Sequence, residues 1–217
     1  MIQEAASSAS AAAVSEQRDP EEARRRFDRE FSAQISVLRR RNCPKAIIKT
    51  LESKRSQVIA RAVGMTFGSK RVFFSSVIPA SQLSIPEQML MVCNGDIPGF
   101  TFLSPKDITD EVKVPREPYF IFSIDDGAKT LGWTPQQAER TFSKQPRRRG
   151  LNCVEAISFC RVSGVLSRFN IDAIASRVKK TKVPFLWVLG REPRLGADKI
   201  NASDPRWGIP SCNTVVT

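Results

Sequence analysis

The sequence predicts an α+β fold: an N-terminal helical hairpin, a mostly antiparallel mixed sheet with flanking helices, and a C-terminal β-hairpin. Three observations carry that prediction. Apolar residues recur at helical spacing up to residue 64. From residue 71 the chain changes to short runs of β-formers punctuated by Pro79, Pro86, Pro98, Pro105, Pro115 and Pro118. The apolar run 183–189 then ends at Gly190 and is followed by a second extended stretch, as paired strands require. The 217 residues suffice for one domain with a sizeable core. An Ala/Ser-rich tail is expected at 1–17, the hairpin at 18–64 and the α+β part at 65–217, with 18–217 forming one compact unit.

Each element has a local reason. Asp19 caps a helix that opens with Pro20, Glu21 and Glu22, and Phe27, Phe31, Ile35 and Leu38 fall on one face. A second helix is expected after Cys43 and Pro44, with Ile47, Ile48, Leu51, Val58, Ile59 and Ala62 inside and Gly64 closing it. Strands are expected at 71–78, 89–93, 99–103 and 118–124, making a largely antiparallel sheet over 70–125. Asp125, Asp126 and Gly127 stop the last of them. Thr134 and Pro135 open a helix through about Ser143, and Asn152 caps another with Val154, Ile157 and Cys160 inward. A short helical piece is expected at 171–178, then the hairpin, with Trp187 in the core.

Composition removes several chemistries. There is no histidine, which excludes Ser-His-Asp and Cys-His catalysis, His-ligated zinc and imidazole proton shuttling. The five cysteines form no CxxC pair, which points to reduced thiols in the cytosol. Cys153 and Cys160 share a helix face about 10 Å apart, too far for a disulfide. No phosphate-loop or dinucleotide fingerprint occurs, so no cofactor is expected. No apolar run reaches membrane-spanning length.

The residues around the strongest strand resemble those of a known family. The stretch 118–127 (PYFIFSIDDG), followed by Thr130, Leu131, Gly132, Thr134 and Pro135, has its strand, acidic turn and capped helix. Val183, Pro184 and Trp187, then Arg194, Leu195 and Gly196, and finally Trp207, Gly208, Ser211 and Cys212 extend the likeness over about residues 65–212. This is similar to an uncharacterised, mainly actinobacterial family of the domain-of-unknown-function series. The resemblance implies architecture and carries no activity. Family members continue after Leu-Gly with aromatics where this chain has Ala197, Asp198 and Lys199, which implies a reduced aromatic surface there.

Two groups of candidate site residues remain. Asp125, Asp126, Trp133, Arg206 and Trp207 could line a ligand pocket, since such pockets combine aromatics with a few polar groups. Two adjacent carboxylates fall short of the converging oxygens a metal needs, so Asp125 and Asp126 also read as a plain turn. Arg39, Arg40 and Arg41, then Arg147, Arg148 and Arg149, then Lys179, Lys180 and Lys182 could neutralise phosphates. The net charge of +12 supports an anionic partner, nucleic acid or protein. Base-stacking aromatics are not evident among these clusters, and cations near helix ends are favourable in themselves. The leading expectation is a non-catalytic cytosolic binding or interaction protein with no catalytic residue. A nucleic-acid-associated protein comes next, and then an enzyme without histidine working through Asp125, Asp126 or Cys93.

Overall fold

The computed structural model describes residues 19–66 and 74–213 and bears out the α+β class. The expected tail at 1–17 and the start of the first strand, 71–73, lie outside the described residues. Helix α1 (Pro20–Arg40) begins where the sequence says: the Asp19 side chain accepts from the Glu21 N–H at 2.9 Å and Pro20 fills the first turn. The expected second helix is two, α2 (Lys45–Ser53) and α3 (Arg55–Thr66), broken at Lys54, and Gly64 lies inside α3 instead of ending it.

Next comes a two-stranded antiparallel ribbon, β1 (Phe74–Val77) with β6 (Tyr119–Phe122). Its residues alternate between two apolar layers. Phe74, Phe120 and Phe122 join Phe27, Phe31, Ile35 and Leu38 of α1, while Val77, Tyr119 and Ile121 face a second cluster built on α6 (Cys153–Ser163). Burial on both faces explains why β6 reads as an unbroken apolar run. The outer edge of β1 is met by a side chain: Gln34 donates to the Phe74 carbonyl at 2.9 Å and accepts from the Ser76 N–H at 2.8 Å.

Between these strands the sequence expectation fails at 89–93. Helix α4 (Ile85–Leu90), started by a Ser84–Glu87 capping box with Pro86 in its first turn, runs into that segment, and the two-residue β2 (Cys93–Asn94), paired with β3 (Ile97–Pro98), begins at its end. Short strands β4 (Phe100–Thr101) and β5 (Ile108–Asp110) follow.

After Gly127, α5 (Pro135–Phe142) carries the Thr134 cap, and β7 (Arg148–Gly150) fills the stretch between the two expected helices. Helix α6 is capped by Asn152, but residues 153–161 are buried all round, not on one inner face. Such a helix is central. The helical piece expected at 171–178 is instead β8 (Asn170–Asp172) and β9 (Ser176–Val178), because their backbones pair with β10 (Lys182–Leu189). β10 forms the expected hairpin with β11 (Glu192–Lys199) through Gly190.

The large sheet is therefore mostly C-terminal, and only β4 and β5 come to it from 70–125. It has seven strands, ordered β12 (Trp207–Gly208), β8, β10, β11, β4, with β9 also pairing β10 and β5 pairing β9. β4 and β12 pair in parallel and the remaining strands antiparallel. β13 (Ser211–Asn213) pairs with β7. Leu186, Leu195 and Ile171 turn one sheet face onto α6. The opposite face carries the features that follow.

A candidate binding cleft on the outer face of the sheet

In β10, Phe185 and Trp187 stand two residues apart, so both project from the face opposite Leu186. Register places Trp187 opposite Arg194 of β11, and Trp207 beside Asn170 of β8. The rings form a pile: Phe185 stacks on Trp187 with centroids 4.5 Å apart and on Trp207 at 5.0 Å. All three are only half-buried. Across the hairpin, Phe185 faces Gly196, and the Trp187 ring lies over that glycine. A Cβ on Gly196 would come within 2.9 Å of the indole, so only glycine leaves room for it.

The pile borders an open cleft of about 540 Å³, whose walls also include Arg168, Phe169, Asn170 and Arg206. The Arg168 guanidinium lies 5.1 Å from the centre of the Phe169 ring and 3.0 Å from an Asp126 oxygen. Arg206 is held by Asp204 at 3.1 Å. The volume falls within the range of small-molecule sites, and flat rings beside a few polar groups are their usual lining.

Of the sequence candidates, Arg206 and Trp207 line this cleft directly, and Asp126 reaches it through Arg168. Asp125 and Asp126 form the turn: their carboxylates accept the N–H groups of Gly127 at 3.1 Å and Ala128 at 3.0 Å. Gly127, at φ 90, packs backbone to backbone against Ile209. Trp133 lies elsewhere, against Ala138, Phe142, Ile174 and Ile209. Sequence reasoning put Trp187 in the core and missed Phe185, Phe169 and Arg168. The available signal was the period-two spacing of Phe185 and Trp187 opposite a glycine.

The basic candidates separate. Arg39 pairs with Glu52 at 2.7 Å, Arg40 is exposed, and Arg41 donates to the Gly95 carbonyl at 3.1 Å. Arg147 is exposed at φ 64, but Arg148 and Arg149 turn inward: Arg148 donates to the Ser123 carbonyl at 3.1 Å. Lys179, Lys180 and Lys182 are exposed around the β9–β10 turn, with Lys179 3.5 Å from Asp107.

Arg149 enters a buried network. It holds the fully buried Glu155 with two 2.6 Å bonds, and the Tyr119 hydroxyl donates to the same carboxylate at 3.1 Å. Burial works against the Arg149 charge, yet the Glu155 carboxylate raises its pKa further above the usual arginine value. Burial and Glu155 together raise that of Tyr119. Alongside, Asp110 accepts from Ser176 at 2.5 Å and from Asn152 at 3.1 Å. Asp110 is exposed as a residue, but its carboxyl end points inward, and burial of that end raises its pKa. This network satisfies its own members and positions the start of α6. Cys93 is half-buried with its thiol raised by burial. Among the described residues no three of Cys, Asp and Glu gather to hold a metal ion.

With this geometry in place, one comparison is informative. The family described as a family of unknown function, DUF5701, matches residues 43–209. The chain belongs to DUF5701. The match runs from just before α2 through β12, so it takes in the whole cleft and leaves α1 outside. No curated protein and no solved structure matches the chain. Among the described residues no helix is long and apolar enough to cross a membrane.

Proposed function

We propose that this DUF5701 protein is a non-catalytic binding protein of the cytosol, and that the cleft beside β10 recognises a ligand carrying a flat ring. The observation that carries this reading is the half-exposed pile of Trp187, Phe185 and Trp207 beside two guanidinium groups. Half-buried rings at the surface of a sheet forgo part of the roughly 1.5–3 kcal/mol that full burial of such a side chain supplies, and ligand stacking recovers it. Five free thiols, four of them buried, support the cytosolic assignment. An anionic partner is supported by the charge of +12 and by exposed Arg40, Lys180 and Lys182.

The test is thermal unfolding of the full chain with adenosine as the flat-ring probe and ribose as its ringless control. A native-state ligand must raise the melting temperature. Adenosine raises it and ribose does not, and the paired substitution Trp187→Ala, Trp207→Ala removes the effect. An unchanged melting temperature up to the solubility limit of adenosine overturns the reading.

A further inference from the structure

We propose that the cleft takes single-stranded nucleic acid, its bases stacking on the Trp187 and Trp207 rings at the ends of the pile and its phosphates meeting Arg168 and Arg206. The inference rests on the reading of the cleft as the binding site and names its ligand class.

Four observations converge on it. First, the rings reach from β10 and β12 across β8 and meet as a pile, with Phe185 4.5 Å from Trp187 and 5.0 Å from Trp207. Phe185 is covered by an indole on each side, so the pile offers a base the Trp187 and Trp207 rings at its two ends. Every base has a π-face, so two such ends accept bases of one strand with little regard to sequence. Second, Asn170 stands between Trp187 and Trp207 in the same cross-strand row. Its amide offers both a donor and an acceptor to a base edge.

Third, cations stand at the margin of the rings and not beneath them. Arg168 and Arg206 line the cleft with side chains 52% and 77% exposed. Each is engaged by a carboxylate, Asp126 or Asp204, at the surface. Exposed pairs of this kind contribute little, so exchanging carboxylate for phosphate costs little, and guanidinium matches phosphate geometry well. Fourth, the chain carries +12, which draws a polyanion at long range. A duplex hides its base faces inside its own stack and a free nucleotide has one base, so the two indole ends and their cationic margin together favour an unpaired strand.

The experiment is fluorescence anisotropy of the full chain with a labelled ten-nucleotide strand of mixed sequence, as DNA and as RNA. The same sequence as a duplex and unlabelled adenosine monophosphate serve as competitors. The strand binds in at least one of its two forms. Trp187→Ala and Trp207→Ala each weaken binding on the order of 5- to 100-fold. A fourfold rise in salt weakens it about sevenfold if two phosphates are neutralised, and Arg206→Gln flattens that dependence. Phe102→Ala is the control. Phe102 is 80% exposed, packs against Phe100 and lies outside the cleft lining, and its loss leaves binding unchanged.

The proposal is overturned if the duplex competes as well as the strand, or if adenosine monophosphate competes equally at the same nucleotide concentration. It is also overturned if Lys180→Gln with Lys182→Gln abolishes binding while the tryptophan variants retain it. If a tryptophan variant loses its circular-dichroism signature, the Arg206→Gln result decides, since that exposed side chain can be changed without unfolding the protein. Absence of strand binding while adenosine still stabilises the chain removes this inference and leaves the cleft reading standing. Failure of both removes both.

Discussion

Asp172 lies on the same sheet face as Phe185, its cross-strand partner, at 1% exposure. Neither of its carboxylate oxygens has a hydrogen-bond partner among the described residues. Burial, with a smaller contribution from the charge of Asp198, pushes its pKa up to about 7. The sign of the linkage follows. Below about pH 4 the carboxyl is protonated in both folded and unfolded chains, and stability is at its highest. Between about 4 and 7 the unfolded chain gives up the proton while the folded chain keeps it, so stability falls as pH rises. Above 7 both states are ionised and the loss is complete, with an upper bound of about 4 kcal/mol. Asp172→Asn removes this dependence. Urea unfolding of the variant and the parent should show a stability difference that grows in the variant's favour from pH 4 to 7 and then stays level. A difference independent of pH would mean that Asp172 is ionised in the folded protein. The sequence could not flag Asp172, because its isolation depends on what β10 and β11 bring against it.

At the scale of elements, the structure depends on side chains that finish backbone pairings. Gln34 is the clearest case: a residue of α1 closes the free edge of β1 by bonding the Phe74 carbonyl and the Ser76 N–H. Gln34→Leu leaves both buried backbone groups unpaired, at about 1–3 kcal/mol each. A melting temperature lowered by several degrees is expected, and hydrogen exchange at Ser76 should accelerate more than exchange within β10. Equal acceleration everywhere would contradict a local role. Caps were the most legible elements. Asp19, Thr134 and Asn152 placed the starts of α1, α5 and α6 because capping is local chemistry. The Ser84–Glu87 box was overlooked because the apolar residues after it, Met89 to Val92, fit a strand or a helix equally well. β8 and β9 were misread for the opposite reason. Three-residue strands have no period to detect, and β10 alone makes them strands. The hairpin of β10 and β11 was legible because Gly190 and the apolar run specify it without outside help.

For the molecule as a whole, α1 has a role that the family match does not cover. Its Phe27, Phe31, Ile35 and Leu38 are buried against Phe74, Phe120 and Phe122. Phe31 stacks on Phe120 with centroids 5.4 Å apart. Deleting residues 19–42 uncovers the helical side of the β1–β6 ribbon, and the truncated chain should bind a hydrophobic dye and lose cooperative unfolding. A cooperative transition in the truncated chain would show that the matched segment folds without α1. The cleft was half legible at this scale. Arg206 and Trp207 were singled out in a loop, but joining them to Trp187, Phe185 and Arg168 required knowing that β12 pairs with β8 and β8 with β10. Net charge pointed toward an anionic partner but did not say where. Two arginines of the 147–149 cluster, Arg148 and Arg149, are committed to interior contacts, while the half-exposed rings lie on the outer face of the sheet.

That surface can be tested directly, because its three relevant probes occur naturally in the chain. Trp187 and Trp207 line the cleft, and Trp133 packs elsewhere against Phe142 and Ile209. The three indole N–H signals of the full protein, assigned by single substitutions and followed while adenosine is added, read out the site without any label. The signals of Trp187 and Trp207 should move together along one saturable curve while that of Trp133 stays in place. No movement at either cleft tryptophan, or movement of Trp133 alone, would contradict the assignment of the cleft as the binding site.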